Sequence, residues 1–173
     1  EEACNKLKDY KDICVVTNLP YYITSKLITK IVSSSTPINR LVAMVQKEVA
    51  LKLCSEEKSP LKMMIDYVGD VQYELNVPRH VFMPAPHVDS AVISIHKERV
   101  ISQELIDLIE ASYTAKRKTL YNNLKPLYHD QTKELLESCG IPANKRAEEL
   151  NIDDYIRILE RSHTLGRFVL MRK

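Results

Sequence analysis

Up to about Lys97 the apolar positions fall into two alternating patterns. Ile13-Cys14-Val15-Val16-Thr17 is a short β-branched run of the kind that fills a buried strand. It stops at Asn18-Leu19-Pro20, because proline has no amide hydrogen to give to a ladder. Ile23 to Ser33 then shows helical spacing through Ile23, Leu27, Ile28 and Ile31, with Thr24 or Ser25 placed to cap it. Leu41 to Val45 repeats the strand pattern. Lys47 to Cys54 repeats the helical one through Val49, Ala50 and Leu53. Leu61 to Val68 is expected to be a third strand, and Val71 to Val77 alternates like a fourth. Beyond Pro84 and Pro86, Ala91 to Ile95 reads as the last strand. Strands alternating with helices predict an open α/β sheet that turns antiparallel near its end.

From Ile101 the pattern becomes helical. Leu105, Leu108, Ile109 and Ser112 share one face, and Leu120, Leu124 and Leu127 continue the spacing. Leu135-Leu136 and Ile156 to Leu159 mark two further helices, with a stop at Gly140 and Pro142 between them. Asn151 followed by Asp153 and Asp154 is a helix start with acids in its first turn. The expected organisation is therefore an α/β domain over residues 1–98 and a small all-α domain over 99–173, with the boundary near Glu98 to Ile101.

Composition narrows the class. The chain has 173 residues, 45% hydrophobic and 28% charged, normal for a soluble globular protein. No apolar run approaches the roughly 20 residues that span a bilayer. Cys4, Cys14, Cys54 and Cys139 lie far apart, and the five histidines show no metal-ligand spacing. Free thiols in a reducing, cytoplasmic compartment and no metal are the expectation. The net charge of +2 says little. Its distribution says more: Glu110 to Asp130 contains no acid between its ends, but holds Lys116, Arg117, Lys118 and Lys125. Such a patch suits phosphate, although a solvated helix face explains it equally well.

Asn18-Leu19-Pro20-Tyr21 carries the clearest chemistry. It follows the first strand, and open α/β sheets place ligands at the carboxyl ends of their strands. Adenine N6 is a poor nucleophile, because its lone pair is delocalised into the ring. An asparagine carbonyl and a backbone carbonyl can accept both its N–H hydrogens and orient it toward a methyl donor. A tyrosine beside them can stack on a base taken out of its helix. Four residues alone would pass as an ordinary strand-to-helix turn.

The surrounding residues extend the match. Asn18-Leu19-Pro20-Tyr21-Tyr22-Ile23-Thr24-Ser25 resembles the catalytic motif of the rRNA adenine dimethyltransferases, and Met44-Val45-Gln46-Lys47-Glu48-Val49-Ala50 their next strand-helix motif. Phe82-Met83-Pro84-Ala85-Pro86-His87-Val88-Asp89-Ser90-Ala91-Val92 is similar to their F-x-P-x-P-x-V-D-S-A-V signature. Lys116-Arg117-Lys118-Thr119-Leu120 with Asn122-Asn123-Leu124 resembles their basic helix, and Arg146-Ala147-Glu148-Glu149-Leu150 their C-terminal signature. Five motifs in order resemble the small-subunit (KsgA-type) adenine-N6 dimethyltransferases. Resistance-type enzymes acting on large-subunit rRNA share the first and third motifs.

The resemblance implies a Rossmann-like methyltransferase domain followed by a helical domain, S-adenosylmethionine as cofactor, and small-subunit rRNA and the assembling ribosomal subunit as partners. It implies that Asn18, with the Leu19 carbonyl, accepts from the adenine amino group and faces the reacting end of the cofactor. Pro20 holds the turn, Tyr21 stacks on one face of the adenine, and Phe82 closes the other. Lys116, Arg117 and Lys118 are candidates for RNA phosphate. Gln46 to Glu48 and Asp89-Ser90 are expected to be structural, a helix start and an Asx-type turn. One departure stands out. The chain has only Gly69, Gly140 and Gly166, none in a glycine-rich loop. The expectation is therefore a C-terminal portion that lacks the main cofactor-binding elements and is inactive alone. A non-catalytic RNA-binding module and a large-subunit methyltransferase remain open as alternatives.

Overall fold

The computed structural model describes residues 10–18 and 20–164, with the side chain of Tyr21 excepted. The chain divides into two compact units, Glu1–Glu57 with Met64–Ile101, and Lys58–Met63 with Ser102–Lys173.

The first unit is built on a four-stranded sheet of β1 (Ile13–Asn18), β2 (Ile38–Gln46), β3 (Gly69–Val77) and β4 (Ser90–Lys97), in the order β1-β2-β4-β3. β1 runs parallel to β2, whereas β4 is antiparallel to both β2 and β3. The sheet thus turns antiparallel as its patterning predicts. Alternation sets its faces. Leu41, Ala43 and Val45 of β2 lie opposite Ile95, Ile93 and Ala91 of β4, and all six are buried. Helices α1 (Thr24–Val32) and α2 (Lys47–Leu53) add Ile28, Val32, Ala50 and Leu53 to the same core. The other face carries Arg40, Val42, Ser94, His96, Asp70, Gln72 and Glu74, only partly covered. β1 departs from the expected buried strand. Among the described residues it pairs with β2 alone, none of its side chains is fully buried, and Val16 is 75% exposed.

Two local expectations are corrected. Leu61 to Val68 is not a strand but most of helix α3 (Pro60–Val68). Four of its five buried positions, Leu61, Met64, Ile65 and Val68, follow the i, i+3, i+4, i+7 rule, with Met63 the fifth. Pro60 begins the helix, where its missing N–H costs nothing, and Ser59 Oγ accepts from the Lys62 amide at 3.2 Å. A short apolar run satisfies strand and helix periods alike, and here the start signal decides. Neither Thr24 nor Ser25 caps α1: Thr24 is buried and donates backward to the Pro20 carbonyl at 3.1 Å. Gly69, the first residue of β3, lies so close to the His96 carbonyl that a Cβ there would overlap backbone.

The second unit packs α4 (Gln103–Ser112), α5 (Leu120–Tyr128), α6 (Thr132–Ser138) and α7 (Ile152–Thr164) around Leu105, Leu108, Ile109, Leu120, Leu124, Leu136 and Ile158. Gly140 takes φ +70° and closes α6, with Ile141 N–H reaching the Leu136 carbonyl at 2.9 Å. Asn151 and Asp154 cap α7 reciprocally, at 2.9 and 3.0 Å. The hydroxyls of Tyr113 and Tyr155 both donate to the Ala147 carbonyl, at 3.3 and 3.4 Å. No helix among the described residues is long and apolar enough to cross a membrane. The described cysteines, Cys14, Cys54 and Cys139, are free thiols, and Cys4 lies outside the described residues.

Burial pushes the phenols of Tyr113 and Tyr128 up to about 12, and that of Tyr155 upward as well. An unfolded tyrosine titrates near 10. Between those values the unfolded chain has released protons that the folded one keeps, so folding stability is whole below pH 10 and falls as pH rises toward 12. Spectrophotometric titration is expected to show these three of the nine tyrosines ionising late, together with loss of helical circular dichroism. Nine phenols titrating near 10 with the helices intact would refute this.

Candidate functional site

Strand register brings the sequence motifs to one end of the sheet. Asn18, the last residue of β1, lies opposite Met44, which lies opposite Val92, which in turn faces Leu75 across β3. Two residues further along, the last row is Gln46, Ser90 and Val77. The carboxyl ends of β1, β2 and β3 therefore meet the start of β4, and the loops beyond them carry Pro20-Tyr21, Gln46-Lys47 and the Phe82 segment.

Each loop is held locally. Asn18 is exposed at the strand end. Leu19 lies outside the described residues, and so does the side chain of Tyr21. Pro20 has φ −58° and ψ 131°, and its carbonyl accepts from Ile23 N–H and Thr24 Oγ1, both at 3.1 Å. That pair of bonds winds Tyr21–Ile23 into a single 3-10 turn running straight into α1. The backbone of Tyr21 is thereby fixed within three residues of Asn18. Val77 leads into a second 3-10 turn, Arg79–Val81, after which Phe82 is extended and half-buried.

Asp89 organises the return. Its carboxylate accepts from the Arg79 amide at 3.0 Å, and its carbonyl accepts from the Lys47 amide at 3.0 Å. The expected Asx-type turn is thus replaced by a clamp reaching ten residues back, tying the Phe82 loop to the start of α2. Sequence spacing gave no signal for that partner. Arg79 Nη1 donates to the His87 carbonyl at 3.3 Å across the same loop. Gln46 and Lys47 start α2, and Glu48 pairs with Lys52 at 2.9 Å. That contact holds the Glu48 carboxyl below its ordinary value.

Lys116, Arg117 and Lys118 belong to the helical unit, but not to a helix. They form an exposed turn between α4 and α5, with Lys118 N–H on the Ala115 carbonyl at 2.9 Å. The expected basic helix begins only at Leu120, after Thr119, whose Oγ1 accepts from the Asn122 amide at 3.4 Å. A turn frees three consecutive side chains from the constraint that a helix would place on them. It is also pinned. Buried Asn123 donates to the carbonyls of Ser112 at 2.6 Å and Ala115 at 3.2 Å. This role of Asn123 was missed. The available signal was an asparagine beside Leu124 on the apolar side of a helix, where an unpaired amide would be costly. Arg146 to Leu150 also acts structurally: Ala147 and Leu150 are buried, and Glu149 accepts from the Arg146 amide at 2.6 Å.

Gly69 is committed to the close approach on His96, and Gly140 ends α6. No group of three or more His, Cys, Asp or Glu side chains able to hold a metal occurs among the described residues.

Comparison with known proteins supplies the family and the fold. Residues 1–163 match the family described as ribosomal RNA adenine dimethylase. The chain is 37% identical over 158 residues to ribosomal RNA small subunit methyltransferase A of Fusobacterium nucleatum subsp. nucleatum, covering 84% of this chain and 60% of that protein. Among solved structures, a dimethyladenosine transferase from Plasmodium falciparum superposes with a TM-score of 0.77 at 24% identity, over 90% of this chain and 68% of that one. The 23S rRNA methyltransferase ErmE gives 0.61 at 21% identity, over 88% and 66%. Both likenesses are of fold, a Rossmann-like methyltransferase architecture.

Proposed function

The chain belongs to the ribosomal RNA adenine dimethylase family, and on that premise we propose that it supplies the adenine-capturing part of an enzyme that dimethylates N6 of adenosines in small-subunit ribosomal RNA during ribosome assembly. The observation carrying this reading is the convergence of Asn18, Tyr21 and the Phe82 loop at the carboxyl end of the sheet. There Asn18 accepts one amino hydrogen of an extruded adenine and the Leu19 carbonyl the other. Pro20 fixes the turn, and the rings of Tyr21 and Phe82 enclose the base. Oriented in this way, the nitrogen presents its lone pair to one direction only. S-adenosylmethionine would supply the methyl group. The chain spans about 60% of its curated relative, so the complete activity belongs to a chain of the relatives' length. The small-subunit reading is favoured over the large-subunit one because the 37% identity is to a small-subunit enzyme, whereas ErmE shares fold alone.

The exposed turn Lys116 to Lys118 fits phosphate contact, which positions RNA without reading its sequence.

Binding of an RNA with 2-aminopurine at the target position tests the enclosure, because stacking quenches its fluorescence. Tyr21→Ala and Phe82→Ala are each expected to weaken capture by roughly 1–3 kcal/mol, about 5- to 150-fold. Tyr21→Phe keeps the ring and is expected to be mild. Equal losses for Tyr21→Phe and Tyr21→Ala would assign the effect to the hydroxyl and overturn the stacking arrangement.

A further inference from the structure

A second recess lies at the same end of the sheet, beside the adenine-capturing motif and outside it. It is a cleft of about 430 Å³, bounded by Gln46 and Lys47 at the start of α2 and by Arg79, His87 and Asp89 of the Phe82 loop. Gln46 stands two residues beyond Met44, the partner of Asn18. Strand rise and spacing place the two backbones on the order of 8 Å apart. The cleft is thus within reach of a nucleotide next to one held at Asn18.

Its acids are occupied. Asp89 spends a carboxylate oxygen on the Arg79 amide, and Glu48 is paired with Lys52 on the neighbouring turn of α2. Its cations are not. Among the described residues, no carboxylate lies within ion-pair distance of the Lys47 or Arg79 side chain. The Arg79 guanidinium is oriented rather than free, because one of its five N–H groups donates to the His87 carbonyl at 3.3 Å. The rest of that planar fork suits the two unesterified oxygens of a phosphodiester. Both cations also stand on anchored backbone, since Asp89 receives the amides of Lys47 and Arg79 alike. One carboxylate and one carbonyl of the same residue therefore set the spacing of two positive side chains across a cleft wide enough for a sugar-phosphate.

We propose that this cleft binds the phosphodiester of the nucleotide flanking the target adenine, with Lys47 and Arg79 as its ligands and Asp89 as the residue that positions them. The inference rests on the reading of the sheet end as an adenine site. Recognition of backbone phosphate beside the captured base would hold a single strand in register, so that extruding the neighbouring base carries it to Asn18.

The test uses the whole chain and a ten-nucleotide single-stranded RNA with 2-aminopurine at its centre. Affinity and fluorescence are followed over a salt series. Each phosphate neutralised on a single strand contributes about 0.7 to the slope of log affinity against log salt. Lys47→Gln with Arg79→Gln is expected to reduce the slope by about 0.7, the share of the one phosphate they hold, while Arg79→Lys alone retains it because the charge persists. Lys116, Arg117 and Lys118 changed to Gln serve as the comparison: their loss is expected to add to that of the cleft pair. An unchanged slope in the Lys47→Gln, Arg79→Gln variant overturns the cleft, and it leaves the adenine site standing if quenching still depends on Tyr21 and Phe82. A slope that drops equally in Arg79→Lys also overturns it, because loop structure rather than charge would then be responsible. A parent chain that neither binds nor quenches the RNA overturns both readings.

Discussion

Asn18→Ala, introduced into an enzyme of the relatives' full length, is expected to lower the rate of adenosine methylation by at least about 100-fold and to change RNA affinity little. An oriented acceptor on the reacting nitrogen acts where charge develops, and removing one such group typically costs 10²–10³ in rate. RNA affinity is drawn from phosphates and stacked rings, which the substitution leaves in place. The loss should therefore fall on kcat rather than on binding, the mark of an interaction realised in the transition state. Methyl incorporation under saturating RNA, read beside a direct binding isotherm, separates the two. Methylation at the parent rate would make Asn18 no more than the last residue of a strand.

Gly69→Ala is expected to cost the sheet unit up to about 3 kcal/mol, at the upper end for overpacking. The added Cβ would meet the His96 carbonyl, and a backbone atom within a paired ladder cannot move aside as the end of a flexible side chain can. Gly140→Ala is the informative contrast. Its Cβ has nothing within 4 Å, but φ there is +70°, so the cost is one of backbone conformation, about 1–2 kcal/mol. Denaturant unfolding of both variants gives the comparison. If Gly140→Ala proves the more damaging, the close approach at Gly69 is not what limits the sheet.

The sequence was most legible where one element's own period decides its form. Leu41 to Val45 and Ala91 to Ile95 announce central strands, because alternation and β-branching are local properties. Leu105 to Ser112 announces a helix for the same reason. It misled where a run was short or a partner remote. Leu61 to Val68 holds enough apolar residues to satisfy either period, and the Pro60 and Ser59 start signals were underweighted. Lys116 to Lys118 was expected on a helix because the segment resembles a family's basic helix, whereas the helix begins only at Leu120 and the turn before it is held by Asn123 from within that helix. The amide partner of Asp89 stands ten positions away, beyond the reach of any turn rule. For the candidate site, the residue types and their order along the chain were readable. Their meeting at one sheet end depends on the register of four strands, a long-range property. The standing of Leu19 and of the Tyr21 ring lies outside the described residues.

The placement of β1 bears on time as well as on space. Among the described residues its ladder has a single partner, and that pairing joins segments more than twenty positions apart through α1. β3 and β4, by contrast, close on each other through one connecting loop. Loop-closure entropy favours the shorter connection first, so the β3–β4 pair is the natural early structure and β1 the late arrival. An element that forms late and has a single ladder partner is one that opens readily under native conditions. Asn18 therefore stands on a late-forming edge strand, whereas the Phe82 loop springs from the more local β3–β4 pair. One wall of the proposed adenine site thus rests on the pair that closes first, and the other on the pair that closes later.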